Sequence, residues 1–363
     1  MFTSIRRFLS LALFAAVLIP TTLRVEAQPT QEHSKIVQEI NEIEHEIESN
    51  LEEHEEEFDI GEMIMHHIAD SHEWEFAHGV ILPLPVILYS ADHGLEVFSS
   101  SNFHNEQHEY NGYHLEHGDS EHIVPLDESR TIYDFSITKN VASMIVSAVL
   151  LLVIFLSVAS AYRKRKGKAP RGFQSAMELL VLFIRDEVVK PNIGPKYEKY
   201  LPYLLTLFFF ILINNLLGLL PGAANVTGNI AVTMTLAIIT FIIVHINSNK
   251  HYWMHLVKPT GVPIALLPIM IPVEIVGVFM KPFSLMIRLF ANMTAGHIIL
   301  LSLFGLIFIF KSLFVAPVVS AFALFMNFIE IMVAFIQAFI FTLLSSMYIG
   351  SSIEDNHEAD HGH

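Results

Sequence analysis

Six polar residues interrupt the two most apolar stretches of the chain, and four of them are charged or titratable. One is a permanent cation in the middle of the segment MIRLFANMTAGHIIL. An arginine at the centre of a helix in lipid costs roughly 2.5–3.5 kcal/mol, and such residues mark ion pathways or proton relays by default. The six candidate site residues are Glu274, Arg288, Asn292, His297, Glu330 and Gln337.

The first stretch predicts a helix with one polar stripe. Glu274, Lys281 and Arg288 follow one another at intervals of seven residues, so they share a face of a helix with 3.6 residues per turn. Asn292 continues the stripe, whereas His297 is rotated to roughly the opposite face. Lys281 stands beside a proline, and we expect its ammonium group to snorkel to the membrane surface.

The second stretch places Glu330 and Gln337 seven residues apart, again on one face. The rise from Arg288 to His297 is about 13 Å, and that from Glu330 to Gln337 is about 10 Å. If the two helices pair antiparallel, Arg288 lies level with Gln337 and His297 level with Glu330. Glu274 lies about 20 Å from Arg288 on the other side. The spacing therefore predicts two titratable clusters separated by a fixed cation.

This arrangement suits a proton path. Histidine titrates near neutral pH, whereas arginine does not release its proton in proteins. A nearby cation lowers the pKa of a carboxylic acid by about 1–3 units, so a passing carboxylic acid would release its proton at Arg288. One alternative stays open: an ion pair of Arg288 with Glu274 or Glu330 that only fixes helix packing. His297 could likewise be an ordinary histidine of a helix interface.

The composition is that of a polytopic membrane protein. Of the 363 residues, 52% are hydrophobic, and the mean hydropathy is +0.48. A chain with these values is more apolar than an ordinary soluble domain. The absence of cysteine excludes disulfides, thiolate metal sites and thiol catalysis. The formal charge of −16 is concentrated near the two ends of the chain. The chain has no basic patch with interleaved aromatic residues, which argues against nucleic acid as a partner.

The N-terminal part is predicted to lie outside the cytoplasm. Residues 1–27 have the pattern of a secretory signal peptide, with two arginines, a short apolar run and a Val-Glu-Ala cleavage site. An uncleaved anchor helix is the alternative. Residues 28–135 then form an acidic, His-rich domain. It is expected to hold an amphipathic helix over residues 36–47 and short β-strands between residues 69 and 103, which makes it a small α+β domain.

Residues 136–353 form the predicted membrane domain. A first span at residues 140–162 is followed by the basic loop RKRKGKAPR. The positive-inside rule places that loop in the cytoplasm and the N-terminal domain outside it. Residues 172–194 are apolar on one side and charged on the other, so they predict a helix that lies in the cytoplasmic interface.

A transmembrane hairpin is predicted next, with spans at residues 203–222 and 230–247. Asn214 and Asn215 are polar residues within the first of these spans, and they need partners in a helix–helix interface. The lysine-bearing segment after residue 247 is expected to be a cytoplasmic loop.

Two long tilted helices complete the membrane domain. Residues 262–310 exceed the roughly 20 residues that cross a bilayer, and their prolines offer bends, so they predict a re-entrant or strongly tilted helix. The outer turn is expected at Lys311 and Pro317, and the last span at residues 319–350. Residues 354–363 are predicted to be an acidic, solvated cytoplasmic tail. The fold class is thus a mainly α-helical polytopic membrane protein that carries a small extracytoplasmic domain.

These segments resemble a known family. KPFSLMIRLFANMTAGHIIL and IQAFIFTLLSSMYI resemble the signature helices of the a subunit of F-type ATP synthases, the membrane stator beside the ring of c subunits. INNLLGLLPG and TGNIAVTMTLA resemble the second and third spans of that family. The similarity covers residues 135–353, in order.

The resemblance implies a proton path of two half-channels in a bacterial inner membrane. It implies that Arg288 faces the c-ring carboxylate and separates the half-channels, and that His297 and Glu330 form a coupled outer pair. The other implied path residues are Glu274, Asn292 and Gln337. It implies a non-catalytic subunit without a cofactor, and the chain indeed has no GxxxxGK[ST] phosphate loop. The implied partners are the c ring, the b-subunit peripheral stalk, the other subunits and the lipid bilayer.

The chain departs from the common pattern of this family in two ways. Many bacterial members have Glu and His exchanged relative to His297 and Glu330, which keeps an acid opposite an imidazole. The signal peptide and the His-rich domain resemble the a subunits of Bacteroidetes-type bacteria, and the family core implies no role for them. The choice between H⁺ and Na⁺ stays open, although the His297/Glu330 pair favours H⁺.

Two other function classes fit parts of the sequence. A secondary transporter would show an internal repeat with matching broken helices, and no second copy of the Arg288 segment is present. A metal-binding protein is suggested by histidines that could ligate zinc together with nearby carboxylates, although no HExxH spacing occurs. These histidines are His66, His67, His72 and His78.

Overall fold

The computed structural model of the chain describes residues 61–353 with short gaps. The gaps are residues 62–63, 65–67, 78–79, 106, 117–120, 128, 165, 221, 259–262 and 311–314. The predicted signal peptide, the amphipathic helix over residues 36–47 and the acidic tail therefore lie outside the described residues.

The N-terminal domain is built from short antiparallel strands in three small sheets. The first sheet is the hairpin of β1 (Glu73–Ala77) and β2 (Val80–Pro83). In the second sheet, β3 (Pro85–Ser90) lies between two strands, β4 (Gly94–Ser99) and β8 (Ile132–Asp134). The third sheet has the order β5 (Glu109–Tyr110), β6 (Tyr113–Glu116) and β7 (His122–Pro125).

The alternation of side chains in β3 builds the core of this domain. Val86 and Leu88 are fully buried, whereas Tyr89 between Leu88 and Ser90 is exposed, as the two-residue period of a strand requires. Val86 and Leu88 pack with Phe103 and Tyr113 of neighbouring segments. The predicted strands are thereby confirmed, and the segment VILPLPVILYS forms β2 and β3 rather than a membrane span.

The remainder of the described chain is helical. The helices in chain order are α1 (Lys139–Lys164), α2 (Phe173–Phe183), α3 (Lys190–Ile193), α4 (Tyr197–Gly218), α5 (Ile230–Ile246), α6 (Lys250–Val257), α7 (Leu267–Phe310) and α8 (Val315–Ile353). Four helical stretches are long and apolar enough to cross a membrane, namely Lys139–Lys164, Phe173–Gly218, Leu267–Ile307 and Val315–Ile353. The bent pair of α5 and α6 would make a fifth. This confirms the predicted polytopic fold.

Helix α4 is the centre of the bundle. Its Leu204 and Ile211 are fully buried, and it packs against both α1 and α8. Helix α1 is the opposite case, because apolar side chains such as Leu152 and Leu156 are more than half exposed. Exposed apolar helix faces of this size are stable in lipid or against a partner protein, and not in water.

The long helix expected over residues 262–310 is present, because α7 runs through Pro272 and Pro282 as one 44-residue helix. Two details differ from the sequence-based expectation. Residues 250–257, expected as a loop, form α6, which is bent by 101° from α5. Pro317 lies in the first turn of α8 rather than in the outer turn, and the missing N–H of a proline is tolerated at that position. Lys311 lies outside the described residues.

The N-terminal domain packs on one end of the helical bundle, which we call the capped end. The Trp74 indole donates a hydrogen bond to the Gly222 carbonyl in the turn between α4 and α5, at 2.8 Å. The Asp70 carboxylate accepts hydrogen bonds from the Thr138 hydroxyl at 2.8 Å and from the Asn140 amide at the start of α1 at 3.0 Å. At the opposite, uncapped end, α8 terminates beside α6, where the Asn249 amide donates to the Ser352 carbonyl.

Candidate functional site

All six predicted site residues lie on α7 and α8, which pack along each other. The six residues differ in how far they are buried. His297 and Glu330 are each 8% exposed and Gln337 is 6% exposed, so these three lie inside the bundle. Glu274 and Arg288 are half-buried, and Asn292 is exposed.

Glu330 of α8 packs against α7 immediately before His297. A methyl group added at Gly296 would lie 2.5 Å from Glu330 Oε1, so the carboxylate could keep its present position only beside glycine. This contact puts the His297/Glu330 layer where antiparallel pairing predicts it. Neither Glu330 oxygen has a hydrogen-bond partner among the described residues. A buried carboxylate without partners is costly to keep charged, so the site suits a group that gains and loses a proton.

A chain of polar contacts connects this layer with the capped end. The Thr227 hydroxyl, in the turn before α5, donates to Asn215 Oδ1 at 2.7 Å. Asn215 Nδ2 in turn donates to the Ala334 carbonyl at 3.3 Å, one helical turn from Glu330. The adjacent Asn214 is 1% exposed, and its Oδ1 has no hydrogen-bond partner among the described residues. The predicted helix-interface role of the two asparagines is confirmed for Asn215.

Arg288 lies between this layer and the uncapped end. Within residues 61–353, no ion pair or hydrogen bond joins its guanidinium to Glu274 or Glu330, which argues against the ion-pair alternative. The charge of Arg288 instead acts on Tyr348 of α8. The exposed side of α7 next to it is apolar, with Phe283 48% and Ile287 41% exposed. A half-buried cation thus lies at the edge of an apolar face.

A second polar cluster lies on the uncapped side of Arg288. It encloses a cavity of about 10 Å³, lined among others by His245, Tyr252, Lys281 and Tyr348. The Tyr252 hydroxyl lies 3.4 Å from His245 Nε2, and the Lys281 ammonium lies 5.3 Å from the centre of the Tyr348 ring. Glu274 acts electrostatically on Tyr252 and belongs to the same cluster.

Sequence reasoning missed part of this second cluster. Lys281 was expected to snorkel to the membrane surface and was not assigned to the site, whereas the structure shows it half-buried in the wall of this cavity. His245 stands in an otherwise apolar span, which is a signal that could have identified it. Tyr252 and Tyr348 gave no such signal, because tyrosines are common near the ends of membrane helices.

The zinc hypothesis gains no support in the described part of the chain. Those residues contain no group of three or more His, Cys, Asp or Glu side chains that could hold a metal ion. Of the four histidines proposed as ligands, only His72 is described, and the other three lie in the gaps.

Two family models match parts of the chain. The family model described as ATP synthase A chain matches residues 141–350, which is more than half of the chain. A second family model, described as a domain of unknown function (DUF8433), matches residues 63–143.

Similar curated proteins are named ATP synthase subunit a. That of Chloroherpeton thalassium is 50% identical over 239 residues, or 64% of this chain and 71% of the relative. That of Chlorobium phaeobacteroides strain BS1 is 44% identical over 311 residues, or 84% of this chain and 79% of the relative. That of Anaeromyxobacter sp. strain Fw109-5 is 40% identical over 319 residues, or 84% of this chain and 72% of the relative.

Proposed function

Since this chain belongs to the ATP synthase A chain family, we propose that it is the proton-conducting stator of an F-type ATP synthase. In this proposal, two half-channels deliver protons to and from a carboxylate on the c ring. The capped-side half-channel passes His297 and Glu330, and the other passes Glu274 and the cluster around Lys281 and Tyr348. Asn292 and Gln337 line the path near Arg288. The chain itself is non-catalytic, because nucleotide chemistry belongs to other subunits.

The observation that carries the proposal is the isolation of Arg288. Its guanidinium lies between two polar clusters and forms no ion pair within the described residues. It also borders an exposed apolar face of α7. A ring helix packed on that face would bring its carboxylic acid next to a cation that cannot deprotonate, and the acid would release its proton there.

The orientation follows from the same proposal. The basic segment after α1 favours a cytoplasmic position for the uncapped end. The N-terminal domain and the capped end then face the periplasm, and the C-terminus faces the cytoplasm of a bacterial cell with an inner membrane. The partners are the c ring on the α7/α8 face, the b-subunit peripheral stalk and the remaining subunits. The segment 1–27 would direct the N-terminal domain across the membrane as a signal peptide.

The test is ATP-driven proton pumping in inverted vesicles that carry the complex with Arg288→Ala. We expect coupled pumping to fall at least about hundredfold, since the charge that governs the ring carboxylate is lost. Pull-down of the c ring checks that the complex assembles. Arg171→Ala, in an exposed position outside the site, is the matched control and should pump like wild type. Normal pumping by the assembled Arg288→Ala complex would refute the proposal.

A further inference from the structure

A cavity of about 460 Å³ lies between the N-terminal domain and the capped end of the bundle. Its wall on the domain side includes His72, Glu121 and Asp134. Its wall on the bundle side includes Asn229, at the start of α5, and Phe290 of α7. At about 30 Å³ per water molecule, the cavity has room for more than ten waters. The two domains together therefore line a water-accessible cavity, open to the surrounding solvent, that neither domain forms alone.

Three side chains in the domain wall form a carboxylate–imidazole–carboxylate row. His72 is 2% exposed, its Nδ1 lies 3.6 Å from Glu121 Oε2, and its Nε2 lies 3.5 Å from Asp134 Oδ2. Neither ring nitrogen has a hydrogen-bond partner among the described residues. The exposed fraction of the carboxylates differs, at 35% for Asp134 and 15% for Glu121. The row thus runs from a wetter carboxylate, through a buried imidazole, to a drier carboxylate.

Other charged groups at this wall are already engaged. Both Asp70 oxygens accept hydrogen bonds from the start of α1 and its preceding threonine. The Lys139 ammonium interacts electrostatically with Asp70 and Glu121, and His122 also lines the cavity. When His72 and Lys139 are protonated, these two cations face three carboxylates, those of Asp70, Glu121 and Asp134. The wall therefore has a net negative charge and favours cations, including hydronium, over anions.

The bundle wall leads from the cavity to the proposed half-channel. Phe290, Thr294 and His297 are spaced by four and three residues, so they share one face of α7. The Thr294 hydroxyl donates to the carbonyl of Gly228, a cavity-lining residue, at 3.4 Å. The contact from Thr227 to Asn215 begins at the same turn. Polar groups therefore extend from the cavity wall to the layer of His297 and Glu330.

Building on the proposed function, we propose that this cavity is the outer vestibule of the proton path, and that Asp134, His72 and Glu121 form a proton-collecting relay that loads it. Asp134 takes a proton from hydronium and leaves water. The His72 imidazolium passes its Nδ1 proton to Glu121 and becomes a neutral ring that is protonated at Nε2. A half-turn of the ring then brings the free nitrogen to Asp134, which gives it the proton that it holds. Glu121 then releases a proton to water in the cavity. One proton passes along the row from Asp134 to Glu121, His72 regains its charge, and no electrons are exchanged. A side-chain shift of roughly 0.5 Å closes each gap.

The physical reason for a collector is the scarcity of protons at neutral and alkaline pH. Diffusion-limited encounter does not exceed about 10¹⁰ M⁻¹ s⁻¹, so at about pH 8 hydronium reaches a single site only about 100 times per second. Several titratable groups around one cavity increase the number of sites that hydronium can reach, and they hold protons close to the channel. The benefit disappears at about pH 6, where protons arrive about a hundredfold faster.

The test is ATP synthesis by inverted vesicles that carry the whole complex, in which the N-terminal domain faces the lumen. A potassium diffusion potential drives synthesis, and the lumen is set to about pH 6 or about pH 8. The variants are His72→Gln and the double change Glu121→Gln with Asp134→Asn. We expect each variant-to-wild-type ratio to fall about threefold or more at about pH 8 and to lie near one at about pH 6. Asp92→Asn, an exposed carboxylate of the same domain, should give a ratio near one at both values.

Equal ratios at the two pH values would overturn the vestibule proposal, whether the ratio is near one or reduced. A uniform reduction would mean that the row only holds the domain in place. This outcome is separate from a failure of the stator proposal, which is judged by Arg288→Ala in the same vesicles. If Arg288→Ala abolishes coupling while the vestibule variants match wild type at about pH 8, the stator role stands and the relay is wrong.

Discussion

The two polar clusters on either side of Arg288 differ in how they are enclosed. On the capped side, His297 and Glu330 are each 8% exposed, and the Glu330 carboxylate is wedged against Gly296. On the uncapped side, Glu274, Lys281 and His245 are only half-buried, and tyrosine hydroxyls lie among them. The first cluster is dry and closely packed, whereas the second is more open.

This difference indicates where a proton path is most sensitive. In the dry cluster, few groups can take over when one titratable side chain is removed, because water does not reach it easily. In the more open cluster, neighbouring polar groups and water can replace one another. If both clusters carry protons, changes on the capped side should cost much more than comparable changes on the uncapped side.

Neutralising one carboxylate in each cluster should give the largest contrast. Glu330→Gln keeps the size of the side chain but removes a titratable group, and we expect ATP-driven pumping to fall at least about tenfold. Glu274→Gln makes the same chemical change in the more open cluster and should reduce pumping by no more than about threefold. Both variants are measured in inverted vesicles with the amount of assembled complex normalised. Equal losses would show that enclosure does not set the sensitivity.

Displacing the Glu330 carboxylate without removing it should have an intermediate effect. The methyl group in Gly296→Ala would overlap the space of Glu330 Oε1, so the carboxylate must move. We expect pumping to fall by roughly three- to tenfold, although alanine favours the helix by about 1 kcal/mol over glycine. Thermal stability should therefore stay the same or rise while pumping falls.

Gly277→Ala is the matched control for that change. It lies in the same helix, and a methyl group there would meet no atom within 4 Å. It gains the same helix propensity, and its pumping should match that of wild type. If both alanine variants pump normally, the position of the Glu330 carboxylate is not critical, and the contrast between the clusters loses its structural basis.

The sequence alone predicts most of the dry cluster. The charged stripe, the intervals of seven residues and the antiparallel pairing are local regularities of two long helices, and the Glu330–Gly296 contact agrees with them. Local periodicity is less informative where short elements meet. Helix α6 has only eight residues, and its sequence with two nearby lysines is typical of a loop. Its helical structure depends on contacts with the end of α8, which the sequence does not reveal.

The vestibule was not predictable from one sequence. It depends on how the N-terminal domain packs on the bundle, through pairs such as Trp74 with Gly222 that are 148 residues apart. No periodicity encodes such a pairing. His72 illustrates the difficulty, because its sequence context suggested a zinc ligand, whereas the structure places it between two carboxylates.

The smallest predicted effect concerns the pH dependence of the capped end. Burial lowers the pKa of the His72 imidazole, but the carboxylates of Asp134 and Glu121 outweigh that effect and raise the pKa to about 9. A group whose pKa rises on folding stabilises the folded state fully below its unfolded value of about 6.5, and this contribution is lost as the pH rises through about 9. The N-terminal domain, which contains all three of these side chains, should therefore lose stability progressively between about pH 6.5 and about pH 9.

Trp74 fluorescence can report this loss of stability, because the indole is buried two residues from His72 in the same domain. In the full-length chain in nanodiscs with Trp253→Phe, we expect a small red shift of the emission with a midpoint near pH 9. His72→Gln should remove that midpoint. If the His72→Gln protein shows the same pH-dependent shift of the Trp74 emission, a group other than His72 causes it.

Arg288 is proposed to be the barrier between the two clusters. The most direct measurement is passive proton flux through vesicles that carry assembled complexes without the catalytic head, compared with ATP-driven pumping by the intact complexes. For Arg288→Ala we predict that pumping is lost while passive flux persists, because protons cross without being released at the ring carboxylate. Pumping and passive flux both at wild-type levels in an assembled Arg288→Ala complex would contradict it.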